Sequence, residues 1–306
     1  MRKISSFWVC AIMLLAATAG FAADKKFCFQ QVGSEDSGFL LNFYQKPSDY
    51  VPSDTSEACF EYWFEDDGQG GSTGNDAYTR ITSWFENNMS AVVLTSDIEF
   101  AGHSGDACND GELAFSGKSI YLNEGRSITS GDGGPYTISG LCHVTGSETN
   151  VGFATVEPMS TGIRNVNFDN AYFKSTAENS YVGIIPYIDD NANALPQYNV
   201  SNSEFYGTYA GALAGYLGEN SLDIEGVSVT DVTVNGAYAG GFFGEVHGVS
   251  INSINGSGIT VMTVAVQDSG RAAYGGGFAG VLGLPAGGKV NGVHLQTVSV
   301  SSSIEN

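Results

Sequence analysis

The sequence predicts an all-β chain, a parallel β-helix whose short strands stack coil on coil, and three observations predict it. One phrase recurs: Tyr181-Val-Gly-Ile-Ile, Tyr209-Ala-Gly-Ala-Leu, Tyr238-Ala-Gly-Gly-Phe and Tyr274-Gly-Gly-Gly-Phe, with tyrosine spacings of 28, 29 and 36 residues. Repeats of this length are the mark of stacked architectures. Each phrase is followed by an alternating Val/Thr/Ser segment, such as Val227-Ser-Val-Thr-Asp-Val-Thr-Val or Val293-His-Leu-Gln-Thr-Val-Ser-Val. Residues of this type fit a pleated, half-buried surface better than a helix. In both segments the period of two slips once, as in a strand that bends at a corner and resumes on the next face. Glycines supply the third observation. Gly183, Gly211, Gly240 and Gly276 stand two residues after the tyrosines, and Gly215, Gly244 and Gly280 follow four residues later in three copies. A glycine fixed in a strand pattern marks a bend or a close backbone approach, and a flexible linker would not keep it in register with Tyr, Phe and Leu. Tyr181, Tyr209, Tyr238 and Tyr274 are expected to stack as a ladder that serves packing rather than a sugar platform.

Residues 1–22 read as a secretory signal: Arg2 and Lys3 lead, Phe7 to Ala17 are apolar, and Gly20-Phe21-Ala22 offers small residues for cleavage. Cys10 sits inside the apolar stretch without the flanking residues of a lipid anchor. That stretch is too short for a stable span, so no membrane span is expected and the chain is read as exported. The whole sequence holds 12 Lys+Arg against 33 Asp+Glu; without Arg2 and Lys3 the balance is 10 − 33 = −23. Such acidity excludes nucleic acid, anionic lipid and polyuronate as partners unless cations bridge them. Four cysteines remain beyond the signal. Cys28, Cys59, Cys108 and Cys142 permit three disulfide connectivities, of which Cys28–Cys59 and Cys108–Cys142 are favoured because each pair lies within one region. No CxxC or Cys/His cluster points to zinc.

Residues 23–75 form the least regular region, with short strands expected around Phe27 and Phe29, around Phe39 to Tyr44, and over Phe60, Tyr62 and Phe64. Glu65, Asp66 and Asp67 open a polar turn. Calcium is a weak possibility there, because the turn lacks the alternating ligands of a dedicated loop; no other cofactor is expected. At Asp76 the pattern turns helical, with Tyr78, Ile81, Trp84, Phe85 and Met89 on one face. This element, 76–90, is assigned to cover the open end of the stack, where unpaired strand edges would otherwise recruit another chain. Trp84 and Phe85 belong to that cover rather than to a ligand platform. The β-helix is expected over 91–306, irregular at first and clear from about 181. Val151-Gly-Phe stands 31 residues before Val182-Gly-Ile, so the repeat begins before its obvious copies.

Gly-Ala-Leu-Ala-Gly at 211–215, Gly-Gly-Phe-Phe-Gly at 240–244 and Gly-Gly-Phe-Ala-Gly at 276–280 resemble the short motif of GLUG-type repeats. Together with the strand phrases before them, over about 91–306, they look like bacterial surface proteins carrying those repeats. The resemblance implies a right-handed parallel β-helix on an exported, adhesin-like or peptidase-linked protein. It brings no catalytic residue.

Function follows less directly. The expected role is structural, with a glycan or a surface protein held on outward strand positions such as Thr230, Thr233, Gln296 and Ser299. The alternative is a carbohydrate-active enzyme of the β-helix type, since that fold also hosts lyases and glycosidases. A lyase would need basic residues, and beyond the signal the arginines are only Arg80, Arg126, Arg164 and Arg271. A glycosidase needs two carboxylates about 5–9 Å apart; Asp189/Asp190 with Glu219, or Glu204 with Asp231, are the candidate pairs. His103, His143, His247 and His294 are scattered singly, and no nucleophile elbow, zinc-protease motif or phosphate loop occurs. No catalytic residue is assigned. The final repeat runs to Val300 with no capping segment after it, so end-to-end association or a longer natural chain is expected.

Overall fold

The computed structural model describes residues 25–34, 38–52, 54–69, 71–86, 91–157, 160–189, 196–218, 223–248, 250–266, 273–284 and 289–305. Residues 1–22, where a signal is expected, and the stretch around Asp268 therefore lie outside the described residues. The described chain is largely β, with several parallel sheets and, among these residues, one helix.

The tyrosine phrases stack as the repeat demands. Tyr181 pairs in register with Tyr209, Tyr209 with Tyr238, and Tyr238 with Tyr274, all between parallel strands. The 36-residue spacing therefore leaves the register intact. Val151 pairs with Val182, placing the start of the repeat one copy earlier than the first tyrosine phrase. On the inner side of the stack, side chains form buried columns. Ile98, Ile138, Phe168, Val200 and Val229 make one, and Phe173, Phe205, Val234 and Val261 make another. A single layer cannot bury its inner face, so each column gains its stability from the neighbours above and below.

The slips in the alternating segments are corners. Val227, Val229, Val232 and Val234 are all buried, and Asp231 between them has φ 52°. The same left-handed position recurs along the stack at Gly140, Asn170, Asn202, Gly258 and Thr297, with φ between 48° and 72°. Asn, Asp and Gly tolerate this region best, which accounts for every such corner except Thr297. One residue with its backbone reversed in hand turns the chain, and the inward face resumes at the very next residue, as at Val232 after Asp231.

The glycines of the phrase have a different task. In each repeat the strand Tyr209–Gly211 or its equivalent lies back to back with the strand that follows, here Ala214–Leu217. A Cβ on Gly211 would sit 2.4 Å from the Ala214 carbonyl oxygen, and one on Gly215 would sit 2.7 Å from the Tyr209 oxygen. Two backbones thus meet with no side chain between them.

The N-terminal region departs from the expectation of irregular short strands. Lys25–Ser34 pairs antiparallel with both Gly38–Pro47 and Glu57–Phe60, and Gly38–Pro47 then pairs parallel with Ala91–Leu94, the first strand of the stack. The three-stranded sheet therefore covers the open edge on that face, a role the sequence reading assigned to the helix alone. The helix is Ala77–Glu86, shorter than expected, and residues 87–90 lie outside the described residues. It buries Ala77, Ile81, Trp84 and Phe85 against the end of the core. Asp76 caps it, accepting the Thr79 amide at 2.7 Å. The expected alternation of Phe60, Tyr62 and Phe64 is corrected too: the strand ends at Phe60, and Trp63 is the residue that is fully buried. Trp63 touches Phe27, Phe43, Phe100, Phe115 and Phe153, and its indole N–H donates to the Lys118 carbonyl at 3.2 Å.

Cys28 is bonded to Cys59 and Cys108 to Cys142. The first bridge crosses neighbouring strands of the N-terminal sheet, where the two cysteines stand opposite each other. The second ties a loop hairpin, His103–Ser104 with Ala107–Cys108, to the strand Cys142–Thr145.

Candidate functional site

Three places on the stack gather polar or aromatic side chains. The first is the tyrosine ladder. Its rings stack face to face: Tyr181 on Tyr209 at 4.8 Å, Tyr209 on Tyr238 at 4.5 Å, Tyr238 on Tyr274 at 5.6 Å. A second row runs beside it, Tyr187 on Tyr216 at 4.8 Å, and Tyr181 meets both rings edge-on. Stacking of this kind uses the ring faces on each other, so only ring edges and hydroxyls along the rows are presented outward. A sugar needs a free face, which leaves these rows as packing elements of the kind expected from the sequence. In the second row Glu245 takes the next place after Tyr216, and its carboxylate contacts His247 Nε2 at 2.5 Å. Burial, with Glu245 nearby, raises the Tyr181 phenol above its ordinary value.

The second place is an outward cluster built by the disulfide-tied hairpin. Tyr172 stands in register with Cys142 on an outward position, yet it is 1% exposed because the hairpin lies over it. His103 stacks on its ring at 4.5 Å, and Asp106 Oδ1 accepts its hydroxyl at 2.8 Å. Lys174 reaches Asp106 at 3.7 Å and lies over the Tyr206 ring. The Tyr206 hydroxyl donates to Glu204. Burial, then these carboxylates, push the Tyr172 and Tyr206 phenols upward, and the Tyr172 hydrogen bond with Lys174 holds Asp106 below its usual range. The ring stack, the ion pair and the two phenol–carboxylate bonds tie these groups to one another, so the cluster holds and orients the side chains under the hairpin.

The third place is the set of outward columns. Ser139, Asp169, Ser201, Thr230, Ser257 and Gln296 stack in one column. Glu204, Thr233, Thr260 and Ser299 stack in another. Beside them Asn199 donates to Asn167 at 3.0 Å and accepts both the amide and the hydroxyl of Ser228 at 2.9 Å. The four outward positions singled out from the sequence thus fall on two neighbouring columns.

Of the candidate acids, only Asp189, Glu204 and Asp231 are among the described residues. Asp190 and Glu219 lie outside the described residues, and Asp189 is exposed. Glu204 is taken by Tyr206, while Asp231 sits on a corner with its carboxylate over Gly258 of the next layer. In the polar turn, Asp66 and Asp67 accept backbone amides of that turn and Glu65 accepts Thr73, so the carboxylates close the turn on itself. Among the described residues the one group of three ligand-type side chains is Cys28, Glu57 and Cys59, and its two sulfurs are bonded to each other. No described helix is long and apolar enough to cross a membrane.

Two histidines correct the sequence reading of isolated residues. His247 has Glu245 as a partner, and His143 Nε2 lies 3.6 Å from Glu148. His143 occupies the column position that Phe173 and Phe205 hold in the next layers, with Gly117 beneath its ring and its Nδ1 buried without a partner. Sequence reasoning also missed Tyr172, Lys174 and Asp106, which only the hairpin brings together. Tyr187 and Tyr216 left a usable signal, standing six and seven residues after ladder tyrosines.

Comparison with known proteins adds nothing to these observations: no family model matches the chain, and no curated protein or solved structure matches it significantly.

Proposed function

We propose that this chain is an exported surface protein of a bacterium, an adhesin-like right-handed parallel β-helix of the GLUG-repeat kind, which holds a glycan or a surface protein on its outer faces. The observation that carries the reading is the in-register stacking of outward Ser, Thr, Asn and Gln into long columns. Such columns repeat a hydrogen-bonding group at the strand spacing of about 4.8 Å and suit an extended partner laid along them. The right hand is supported by the rule that crossovers between parallel strands of one sheet take it almost without exception. Export is supported by the basic-apolar-small pattern of residues 1–22 and by two disulfides, which persist in oxidising compartments.

The test is retention of the chain from residue 23 onward on insoluble plant and bacterial polysaccharides and on cell-envelope material, scored together with product release. Retention that weakens when Thr230 and Gln296 are changed to lysine, with no new reducing ends or unsaturated sugars, is the expected result. Release of such products would overturn the structural reading in favour of a carbohydrate-active enzyme.

A further inference from the structure

The N-terminal sheet carries a feature that covering a sheet edge does not require. Its inner side holds Phe27, Phe29, Leu41 and Phe43 in the core. Its outer side would ordinarily face water, but residues 48–52 and 54–56 fold back beside it and border an open cleft of about 510 Å³, within the range of small-ligand sites. The floor is one cross-strand row, Glu57, Gln30 and Asn42, in register across three strands. Tyr50 and Asp54 come from the folded-back segment, and Thr95 and Ser96 close the opposite side.

The cleft is built rather than incidental. The Cys28–Cys59 bridge joins the strand carrying Glu57 to the central strand, beside that carboxylate. Glu57 is held from both sides: the Tyr44 hydroxyl donates to one oxygen and the Tyr50 hydroxyl to the other, the latter at 2.8 Å. Lys46 lies over both rings, 5.5 Å from the Tyr44 centroid and 5.1 Å from that of Tyr50. Burial, then the bond to Glu57, keep the Tyr44 phenol protonated far above its ordinary value. On the far side Gln45 is fixed to the backbone of Glu99 by both ends of its amide, at 2.7 and 2.9 Å. Gln30 and Asn42 line the floor, and among the described residues no side chain is hydrogen-bonded to their amides.

The lining determines what fits. Amides, hydroxyls, two phenols, one ammonium and two carboxylates leave little apolar surface for a lipid or a greasy side chain. One cation against two anions gives no pull on a polyanion. Amide and carboxylate groups that each offer several donors or acceptors match the vicinal hydroxyls of a sugar. We infer that this cleft is a binding site for a neutral oligosaccharide, read by Gln30, Asn42, Lys46 and Asp54 over the Tyr44–Glu57–Tyr50 clamp. The inference shares a glycan partner with the proposed function, but moves recognition from the repeat faces to the N-terminal sheet.

The experiment is calorimetric titration of the chain from residue 23 onward with cello-, xylo-, manno- and galacto-oligosaccharides, and with oligogalacturonate as the anionic counterpart. At least one neutral series should bind. Asn42→Ala and Lys46→Ala should each weaken it about tenfold, the loss of roughly one hydrogen-bonded contact, while Thr233→Ala on the repeat face leaves it unchanged. Thermal melts of each variant report whether the fold is kept, and Gln30→Ala serves if either cleft variant fails to fold. Absence of binding by every neutral series, or preference for oligogalacturonate, would overturn the inference. Binding that ignores the cleft variants but falls with Thr233→Ala would also overturn it, and would leave the proposed function standing with the site on the repeat face.

Discussion

The two ends of the chain solve the same packing problem with opposite materials. Around the N-terminal sheet the core is a jigsaw of large rings, with Trp63 at its centre and Phe27, Phe43, Phe100, Phe115 and Phe153 about it, none recurring at a fixed period. Between residues 181 and 266 the described core is made of Val, Ile, Ala, Leu and Phe, largely repeated in columns, and where two strands meet back to back it is made of glycine. One region is held by volume and the other by register. The first is stapled by disulfides, and both bridges fall before residue 143. The second has no cysteine and relies on each layer resting on the next, so its stability is a sum of neighbour terms.

That contrast can be broken from either side. Removing volume should hurt most where volume does the holding. Trp63→Ala empties the middle of the aromatic cluster and should cost about 4 kcal/mol, read from chemical denaturation with the disulfides intact. A loss under about 1 kcal/mol would show that the cluster is dispensable. Adding volume should hurt most where glycine lets two backbones touch. A side chain at Gly211 would begin 2.5 Å from the Phe243 Cα, so Gly211→Val should cost about 3 kcal/mol, since backbone cannot yield as a flexible side chain can. Tolerance of valine there would refute the close approach as the reason for the repeated glycine.

The smallest effect lies at the border of the two regions. His143 stands in a column that continues as Phe173 and Phe205. Burial lowers its pKa; Glu148 opposes that and Lys118 assists it. The folded form therefore prefers the neutral ring, whereas the unfolded chain takes up a proton near pH 6.5. Its contribution to stability is complete above that pH and is lost as the pH falls below it, because the unfolded state then binds the extra proton. Denaturation midpoints of the parent and of His143→Phe should diverge on acidification below about pH 6.5, with the phenylalanine variant flatter. Parallel curves would mean that Glu148 offsets the cost of burial.

Much of the repeat was legible without coordinates. The tyrosine phrase, the slip in the valine alternation and the equivalence of Val151 with Val182 all reflect local rules of period and backbone hand, and local rules leave their mark in local sequence. The N-terminal region was not legible to the same degree. Phe60, Tyr62 and Phe64 alternate as a strand should, but the chain turns after Phe60 and buries Trp63 because the aromatic cavity lies to that side. Nor does any short pattern announce that residues 103–108 will lie over Tyr172, or that Tyr50 and Asp54 will border a cleft on the outer face of a sheet.

The sequence by itself determined the β character, the repeat length, the corner positions and the identity of the stacked columns, because each is set by residues within one or two turns of the repeat. Tertiary structure alone decided which outward residues became buried, which carboxylates were taken by phenols and where clefts opened. Those outcomes depend on loops meeting strands 31 to 66 residues away, as Cys28 meets Cys59 and Asp106 meets Tyr172. Contacts made once, outside the repeat, carry no periodic signal. They are fixed only when the stack is assembled and the loops have a surface to close upon.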